Sequence, residues 1–197
     1  MSKLIGEYTA EVTGLMQTIA KEEEENILKA ADLLSDKVNE GRLINIFGAG
    51  GHSAIAAMEI VGRAGGLAQV NPLFPVGTNI ITAGPTTAKV TGLAPVYPEF
   101  LRGLQGRCYA DIAVDNHVPY PDAILKLPDI PEEFAPTATT LTCFTLNLMM
   151  AETIRMIKEK GGTPEIWVSN NIPGCDEHNK PIHDKYRHRI HHLYPVW

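Results

Sequence analysis

A glycine-rich turn followed by a helix that carries one carboxylate is the part of this sequence best suited to chemistry. The run from Gly48 to Ser53 follows the apolar segment 43–47 and leads directly into a stretch with helical spacing. Where a strand ends in glycines and passes into a helix, unpaired N–H groups meet the positive end of the helix dipole, and such a place binds anions. Glu59 lies about two turns further on among apolar residues, so its half-buried carboxylate could act as a general base. The alternative is that the glycines only turn the chain and that Glu59 is a solvated helix residue.

The spacing of the glycines does not fit the better-known phosphate loops. The run from Gly48 to Ser53 lacks the last glycine of the pattern G-x-G-x-x-G, and no Gly-Lys-Ser/Thr sequence follows it. A dinucleotide-binding fold and a nucleotide-binding P-loop are therefore poorly supported.

Composition predicts one soluble α/β domain over residues 1–197. The chain is 44% apolar and 20% charged, and its formal charge is -6 without a Lys/Arg-rich run, which argues against a nucleic-acid or anionic membrane partner. It contains no apolar stretch of membrane-spanning length and no secretory leader, so we expect a cytoplasmic protein. The three cysteines are far apart and are expected to be reduced, and the acidic neighbours of Cys175 argue against a nucleophilic role.

Periodicity predicts helices and strands in an order typical of α/β proteins. Helices are expected at 2–20, 27–38 and 139–159, and short strands at 43–47, 69–74, 111–114 and 165–169. A predicted helix lies between consecutive strands in two of the intervals, which favours a parallel, doubly wound sheet. Residues 75–98, rich in glycine, proline and threonine, are expected to form a long functional loop.

The start of the longest predicted helix is a second candidate binding site. Thr137, Thr139 and Thr140 place three hydroxyl groups at a helix N-terminus, where they could contact an anion or the hydroxyl groups of a sugar. Plain capping of the helix would need only one of them. Further along, Glu152 shares a stripe with apolar residues and is a reserve candidate for the base.

Five of the seven histidines lie in the tail, from His178 onward. His188 and His192 are four residues apart, and on a helix both imidazoles could bind one metal ion. Histidines mixed with lysine and arginine also commonly form a polar surface, and no second pair is evident, so we assign no metal ligands. A catalytic or substrate-binding role for one of these histidines is the alternative.

Taken together, these segments resemble the sugar isomerase (SIS) domain family, and within it the phosphoheptose-isomerase-like proteins. The resemblance covers most of the chain, and it is the order of the motifs that carries it. The motifs are Phe47-Gly48-Ala49-Gly50-Gly51-His52-Ser53, Glu59-Ile60-Val61-Gly62-Arg63-Ala64-Gly65-Gly66, Asn71-Pro72-Leu73, Ala110-Asp111-Ile112-Ala113-Val114-Asp115-Asn116, Pro136-Thr137-Ala138-Thr139-Thr140 and Val168-Ser169-Asn170-Asn171-Ile172-Pro173-Gly174-Cys175-Asp176-Glu177-His178-Asn179.

The resemblance implies a three-layer, doubly wound, mainly parallel sheet of flavodoxin-like order, with an N-terminal helical extension over 1–40, a core over 41–170 and a histidine-rich tail over 171–197. It implies that Glu59 is the catalytic base and that no cofactor is needed. It further implies a homodimer or homotetramer with sites near subunit contacts. The residues expected to hold the sugar or sugar phosphate are Gly48, Ala49, Gly50, Gly51, Ser53, Asn71, Thr137, Thr139 and Thr140.

Two departures from the family pattern stand out. The family pairs its carboxylate with a histidine on the C-terminal helix, and the predicted helix here has none, so His178, His52 or a tail histidine of a neighbouring subunit is expected to replace it. The Ser-x-Ser-Gly loop that usually grips phosphate is missing, which predicts a shortened middle and fewer strands. Three functions follow as hypotheses: an aldose–ketose isomerase or epimerase, a non-catalytic sugar-phosphate sensor, and a metal-dependent isomerase or lyase that uses the tail histidines.

Overall fold

A computed structural model of the chain describes residues 2–48, 51–73 and 110–190. Five helices and four short strands occur in these ranges. In chain order they are α1 (Lys3–Glu22), α2 (Glu24–Asn39), β1 (Ile44–Ile46), α3 (Gly51–Glu59), β2 (Val70–Pro72), β3 (Leu125–Leu127), β4 (Ile130–Phe134), α4 (Ala138–Glu159) and α5 (Cys175–Tyr186). This is an α/β architecture in which the helices are long and the strands are short.

The three long helices predicted from periodicity are confirmed. Their apolar positions recur every three or four residues, and this spacing places Val12, Ile19, Ile27 and Val38 in the buried interior. Helix α2 packs along α4. Just after the end of α4, the Lys160 ammonium lies 2.7 Å from one carboxylate oxygen of Asp32 and 2.6 Å from one of Asp36, both on α2.

Strands β1 and β2 form a parallel pair, which confirms the centres of the predicted strands 43–47 and 69–74. Ile44 lies opposite Val70 and Ile46 lies opposite Pro72. A parallel pair needs a crossover connection, which α3 supplies. Phe74 and the predicted loop 75–98 lie outside the described residues.

The prediction of a full strand at 165–169 is wrong. A single antiparallel bridge joins Ile166 to Leu67, and two backbone hydrogen bonds flank it, from Ala68 N to the Glu165 oxygen (2.8 Å) and from Trp167 N to the Gly66 oxygen (3.0 Å). The opposite edge of this segment is bonded by two side chains of α5, those of His178 and Asn179. Among the described residues, the segment therefore has strand-like contacts on one side only.

On that opposite edge, Asn179 takes the place of a strand. Its carboxamide oxygen accepts the Val168 N–H at 3.0 Å, and its nitrogen donates to the Val168 oxygen at 2.9 Å and to the Asn170 side chain at 3.0 Å. Asn179 is buried, so these bonds replace water at both polar groups of the Val168 backbone.

The predicted strand at 111–114 is also wrong, and a hairpin was missed. Val114 packs against the cluster of Ile19, Ile27 and Leu141, so helices rather than a ladder bury the apolar side chains of this segment. Further on, β3 and β4 form an antiparallel hairpin of their own.

Two apolar clusters lie on opposite sides of the β1–β2 pair. Ile44 and Val70 join the cluster that includes residues of α2 and α4, together with Ile60 just after α3. Leu43 packs instead with the cluster around α5. Since consecutive strand residues point to opposite faces, α5 covers the face that α3 and α4 do not. The flavodoxin-like strand order and the division into 1–40, 41–170 and 171–197 stay predictions, and no helix in the described ranges has the length and apolarity to cross a bilayer.

Candidate functional site

The glycine turn at the end of β1 is closed tightly by the backbone. A Cβ atom at Gly48 would lie 2.2 Å from the Ser53 carbonyl oxygen and 2.5 Å from the Ala54 nitrogen. No side chain fits there, so glycine at position 48 lets the end of the strand pack against the first turn of α3. Ala49, Gly50 and the His52 side chain lie outside the described residues.

At the other end of α3, Glu59 lines a cavity of about 490 Å³. The walls are the segment 63–67 that follows the helix and one face of α4, which contributes Asn147, Met150, Ala151 and Ile154. The Glu59 side chain is 33% exposed, so its carboxylate is accessible without being fully solvated. Glu59 therefore borders a space large enough for a small ligand, and its role as a general base stays a prediction.

Arg63 orients the Glu59 carboxylate. One terminal guanidinium nitrogen of Arg63, in the segment that follows α3, lies 3.3 Å from each of the two carboxylate oxygens. These contacts are long, and the Arg63 side chain is mostly exposed, so the pair itself stabilises the fold only slightly. The guanidinium can therefore remain available to an anionic ligand in the same cavity.

Cys143 lies on α4 one helical turn before Asn147. Burial raises the pKa of the Cys143 thiol, the negative charge of Glu59 raises it further, and Arg63 lowers it. The thiol is therefore within electrostatic reach of both charged groups at the cavity, and it is protonated at neutral pH.

The N-terminus of α4, the second candidate anion site, is bound to a carboxylate of the chain itself. One oxygen of Asp122 accepts hydrogen bonds from the Thr137 N–H (2.8 Å), the Thr137 hydroxyl (3.0 Å) and the Ala138 N–H (2.8 Å). Thr137 is fully buried, Thr139 is half-buried and Thr140 is exposed. A phosphate at this helix end would meet the negative charge of Asp122.

Asn71 and Glu59 are not brought together. Asn71 lies opposite Asn45 in the strand pair, and its amide nitrogen donates to the Asn45 oxygen at 2.8 Å. Because Val70 faces the α3–α4 side, its neighbour Asn71 faces the side of α5. The side-chain oxygen of Asn71, Oδ1, is buried without a hydrogen-bond partner among the described groups.

His178 is absent from the described walls of the Glu59 cavity, and the side chain of His52 lies outside the described residues. On α5, Nε2 of His178 is 2.8 Å from the Ile166 carbonyl oxygen, so this nitrogen donates its proton to the backbone. His188 follows the end of α5, and His192 lies outside the described residues. Over the described ranges no three His, Cys, Asp or Glu side chains are grouped as a metal site would require. Glu152, the reserve candidate, is paired with Arg155 at 2.7 Å and is absent from the walls of the Glu59 cavity.

Sequence reasoning missed three side chains at or near the cavity. Arg63 lies only four residues after Glu59 in the sequence, whereas Asn147 and Cys143 were hidden in the apolar pattern of α4. The signal that could have found them is their shared helix face, since residues four apart lie one above the other.

The chain is an α/β protein with a short parallel strand pair, a glycine turn at its carboxyl end and a carboxylate at the far end of the crossover helix. A family model described as the SIS domain matches residues 7–105, just over half of the chain. The chain belongs to the SIS domain family.

Full-length relatives are named UPF0309 proteins. Those of Geobacillus kaustophilus and Geobacillus thermodenitrificans are 29% and 30% identical over 241 aligned positions, which cover 95% of this chain and 96% of each relative. That of Caldanaerobacter subterraneus is 30% identical over 243 positions, with 94% and 98% covered. Each alignment is longer than the 197 residues of this chain, so the relatives have positions that it lacks. This agrees with the predicted shortening.

Proposed function

We propose that the chain is an aldose–ketose isomerase or epimerase that acts on a sugar phosphate with Glu59 as general base. Membership of the SIS domain family supports a sugar or phosphosugar ligand. The observation that carries the catalytic part is the position of Glu59, half-buried on the wall of a 490 Å³ cavity and oriented by Arg63. A positioned carboxylate beside a cavity that can hold the substrate is what proton abstraction next to a carbonyl requires.

The proposed reaction moves two hydrogens and needs no redox cofactor. Glu59 removes the proton from the carbon next to the carbonyl, and the electron pair forms a cis-enediol while the carbonyl oxygen takes up a proton. Glu59 then returns its proton to the neighbouring carbon as the second oxygen loses one, which regenerates a carbonyl. Backbone N–H groups at the start of α3 are expected to hold the anionic end of the substrate. A second group must move the proton between the two oxygens.

The length of α3 favours a long substrate. Gly51 and Glu59 are eight residues apart, about 12 Å along the axis at 1.5 Å per residue. Side chains of a helix lean towards its N-terminus, which shortens the gap that a ligand must bridge. An extended chain gains about 1.2 Å per bond, so an open-chain heptose phosphate spans about 10 Å and a triose phosphate only about 5 Å. We therefore expect six- and seven-carbon substrates to react better than trioses.

The second candidate function is a sugar-phosphate sensor without catalysis. Asp122 already neutralises the positive end of α4, and the relatives have positions that this chain lacks, so its grip on phosphate is expected to be weaker than that of a complete enzyme. Such a module would bind its ligand at the glycine turn and transmit that binding to a partner. The metal-dependent alternative would need ligands from the end of the tail, such as His192.

We further propose a cytoplasmic homodimer or homotetramer with sites near subunit contacts. Exposed apolar side chains surround the proposed site: Phe47 and Leu73 just after the two parallel strands, and Met58 beside Glu59. A neighbouring subunit could cover these side chains and contribute to the same cavity.

Glu59→Gln tests the function, and Glu152→Gln is the matched control. Both glutamates are about one-third exposed and paired with an arginine on their own segment, but only Glu59 borders the cavity. We expect Glu59→Gln to reduce solvent deuterium incorporation into aldose phosphates of three to seven carbons by at least about 10²-fold, the usual contribution of a general base. Glu152→Gln is expected to behave like the wild type.

Ligand-dependent thermal stabilisation distinguishes the two candidates. An enzyme should retain stabilisation by its sugar phosphate in Glu59→Gln while losing turnover. Stabilisation of the wild type without deuterium incorporation from any sugar of the panel would instead favour the sensor. Full turnover by Glu59→Gln would refute the assignment of the base.

A further inference from the structure

Asn147 is the polar side chain that α4 places on the wall of the Glu59 cavity. The residues that α4 contributes to this wall are Asn147, Met150, Ala151 and Ile154, and their spacing of three or four positions puts them on one face of the helix. All of α4 lies within the described residues. Asn147 is therefore the one polar member of an otherwise apolar row, at the end nearest the start of α4.

The Asn147 carboxamide is not used to hold the fold together. Its side chain is exposed, and it makes no hydrogen bond within the part of the chain that the structure describes. By contrast, the hydroxyl groups of Thr145 and Thr153 on the same helix donate to backbone carbonyl oxygens four residues earlier. Asparagine is also a poorer helix former than alanine. A carboxamide that borders a cavity without serving the fold can bind a ligand there.

The charged pair of the cavity acts on the same part of α4. Cys143 precedes Asn147 by one turn, and burial, followed by the charge of Glu59, raises the pKa of its thiol while Arg63 lowers it. In the other direction, the row continues with Met150, which is buried in the apolar cluster beside the strand pair. The cavity therefore has a polar end, to which Asn147 belongs, and an apolar end.

The hydrogen-bonding groups of a carboxamide match the reactive end of an open-chain sugar. A carboxamide is neutral and has two N–H donors and an acceptor oxygen, whereas Arg63 offers donors only and an ionised Glu59 acceptors only. An aldose presents its carbonyl oxygen, an acceptor, beside the hydroxyl group of the next carbon, which can donate. Asn147 can pair with both of these groups at once.

We propose that the Asn147 carboxamide binds the carbonyl oxygen of the substrate and stabilises the enediolate that Glu59 generates, an assignment that rests on the proposed function. When Glu59 takes the proton from carbon, the electrons of the C–H bond form a C=C bond and those of the C=O double bond pass to the oxygen. An Asn147 N–H group donates to that oxygen, and this hydrogen bond is strongest when the oxygen is negative. Asn147 transfers no proton itself, and the group that moves protons between the two oxygens completes the enediol.

Asn147→Ala and Asn147→Asp test this role with the aldose phosphates that the wild type converts. Both changes remove the N–H donors, and aspartate keeps the shape of the side chain. Loss of such a donor usually lowers kcat by about 10²–10³-fold. KM should change far less, because the hydrogen bond is strongest after the proton has left carbon. Lys158→Ala, a change at an exposed position of α4 outside the cavity walls, should keep the wild-type kcat.

Melting temperatures separate this role from a structural one. Alanine is the better helix former, so Asn147→Ala should melt at or above the wild-type temperature while its kcat falls. A fall in kcat that comes with a fall in melting temperature would show that Asn147 supports the fold, and would overturn the inference. An Asn147→Ala protein with full kcat would also overturn it, while leaving Glu59 as the base.

A hydroxamate analogue of an aldose phosphate tests the same hydrogen bond without turnover, because it holds two oxygens side by side as the cis-enediolate does. Calorimetry in the Glu59→Gln background compares its binding with that of the substrate. Adding Asn147→Ala should weaken hydroxamate binding about tenfold more than substrate binding. Equal losses would overturn the inference and leave the proposed function standing. A wild type without turnover of any aldose phosphate would contradict the proposed function and, with it, the role of Asn147.

Discussion

Replacing Asp122 by alanine should expose how the start of α4 is held. The change removes the single oxygen that accepts hydrogen bonds from the Thr137 N–H, the Thr137 hydroxyl and the Ala138 N–H. Thr137 is fully buried, so water cannot reach its donors unless the first turn of the helix unwinds.

The expected loss of stability follows from these bonds. Hydrogen bonds to a charged acceptor contribute about 1.5–3 kcal/mol each, and loss of a helix cap costs about 0.5–2 kcal/mol. The three bonds share one oxygen and are not additive, so we expect Asp122→Ala to lower the free energy of unfolding by about 3 kcal/mol. Asp122→Asn keeps an acceptor and loses only the charge at the helix end, so about 1 kcal/mol is expected.

Urea unfolding followed by circular dichroism measures both losses, and an unchanged m value shows that the folded state is otherwise the same. Sulfate should restore part of the stability of Asp122→Ala, because the freed N–H groups can bind an anion in place of the carboxylate. Since sulfate also stabilises proteins in general, the gain of Asp122→Ala must exceed that of the wild type at equal ionic strength. A loss below 1 kcal/mol, or equal gains in sulfate, would refute the reasoning.

Two further changes test the close packing at Gly48 and the buried hydroxyl group of Tyr186. Gly48→Ala should destabilise the protein by at least about 3 kcal/mol, since its methyl group would meet the backbone of α3. The control Gly14→Ala, in the open interior of α1, should stabilise the protein by about 0.5–1 kcal/mol. Melting temperatures that fall equally in the two variants would contradict this. Burial, and then the hydrogen bond to Glu165, raises the pKa of Tyr186 above its ordinary value near 10. The folded state therefore holds this proton more tightly, and the stabilisation present below pH 10 is lost as the pH rises above it. Urea titrations at pH 9 and 10.5 should show a smaller loss for Tyr186→Phe than for the wild type, and equal losses would contradict the assignment.

Local patterns were sufficient to predict the long helices and the first parallel strands. The stripes of α1, α2 and α4 were predictable because an apolar helix face must be buried against something, whatever its partner. The centres of β1 and β2 were predictable because short apolar runs bounded by glycine or proline favour strands. The sequence of α5 gave an ambiguous signal, since Asp176 and Glu177 favour the first turn of a helix whereas Pro181 argues against its interior.

The predictions of strands at 111–114 and 165–169 failed because a strand needs both burial of its side chains and pairing of its backbone, and these are separate requirements. Val114 has the apolar character of a strand residue, but the helices around Ile19 and Leu141 bury it without any ladder. At 165–169, Asn179 supplies from another element the hydrogen bonds that a neighbouring strand would have supplied. Neither outcome can be read from a window of ten residues, because the competing partners are distant in sequence.

The same reasoning applies to the candidate site. Glu59 was chosen as the candidate base because its environment of apolar residues on α3 is local, and the structure places it against a cavity. The two helix starts looked alike in sequence, yet Asp122, 15 residues before Thr137, satisfies one of them. We therefore propose the glycine turn as the place for a substrate anion and the cavity beside Glu59 as the place for its reactive end. On this view, ligand binding should survive Thr140→Ala, whose side chain is exposed at the start of α4, and should fail in Gly48→Ala.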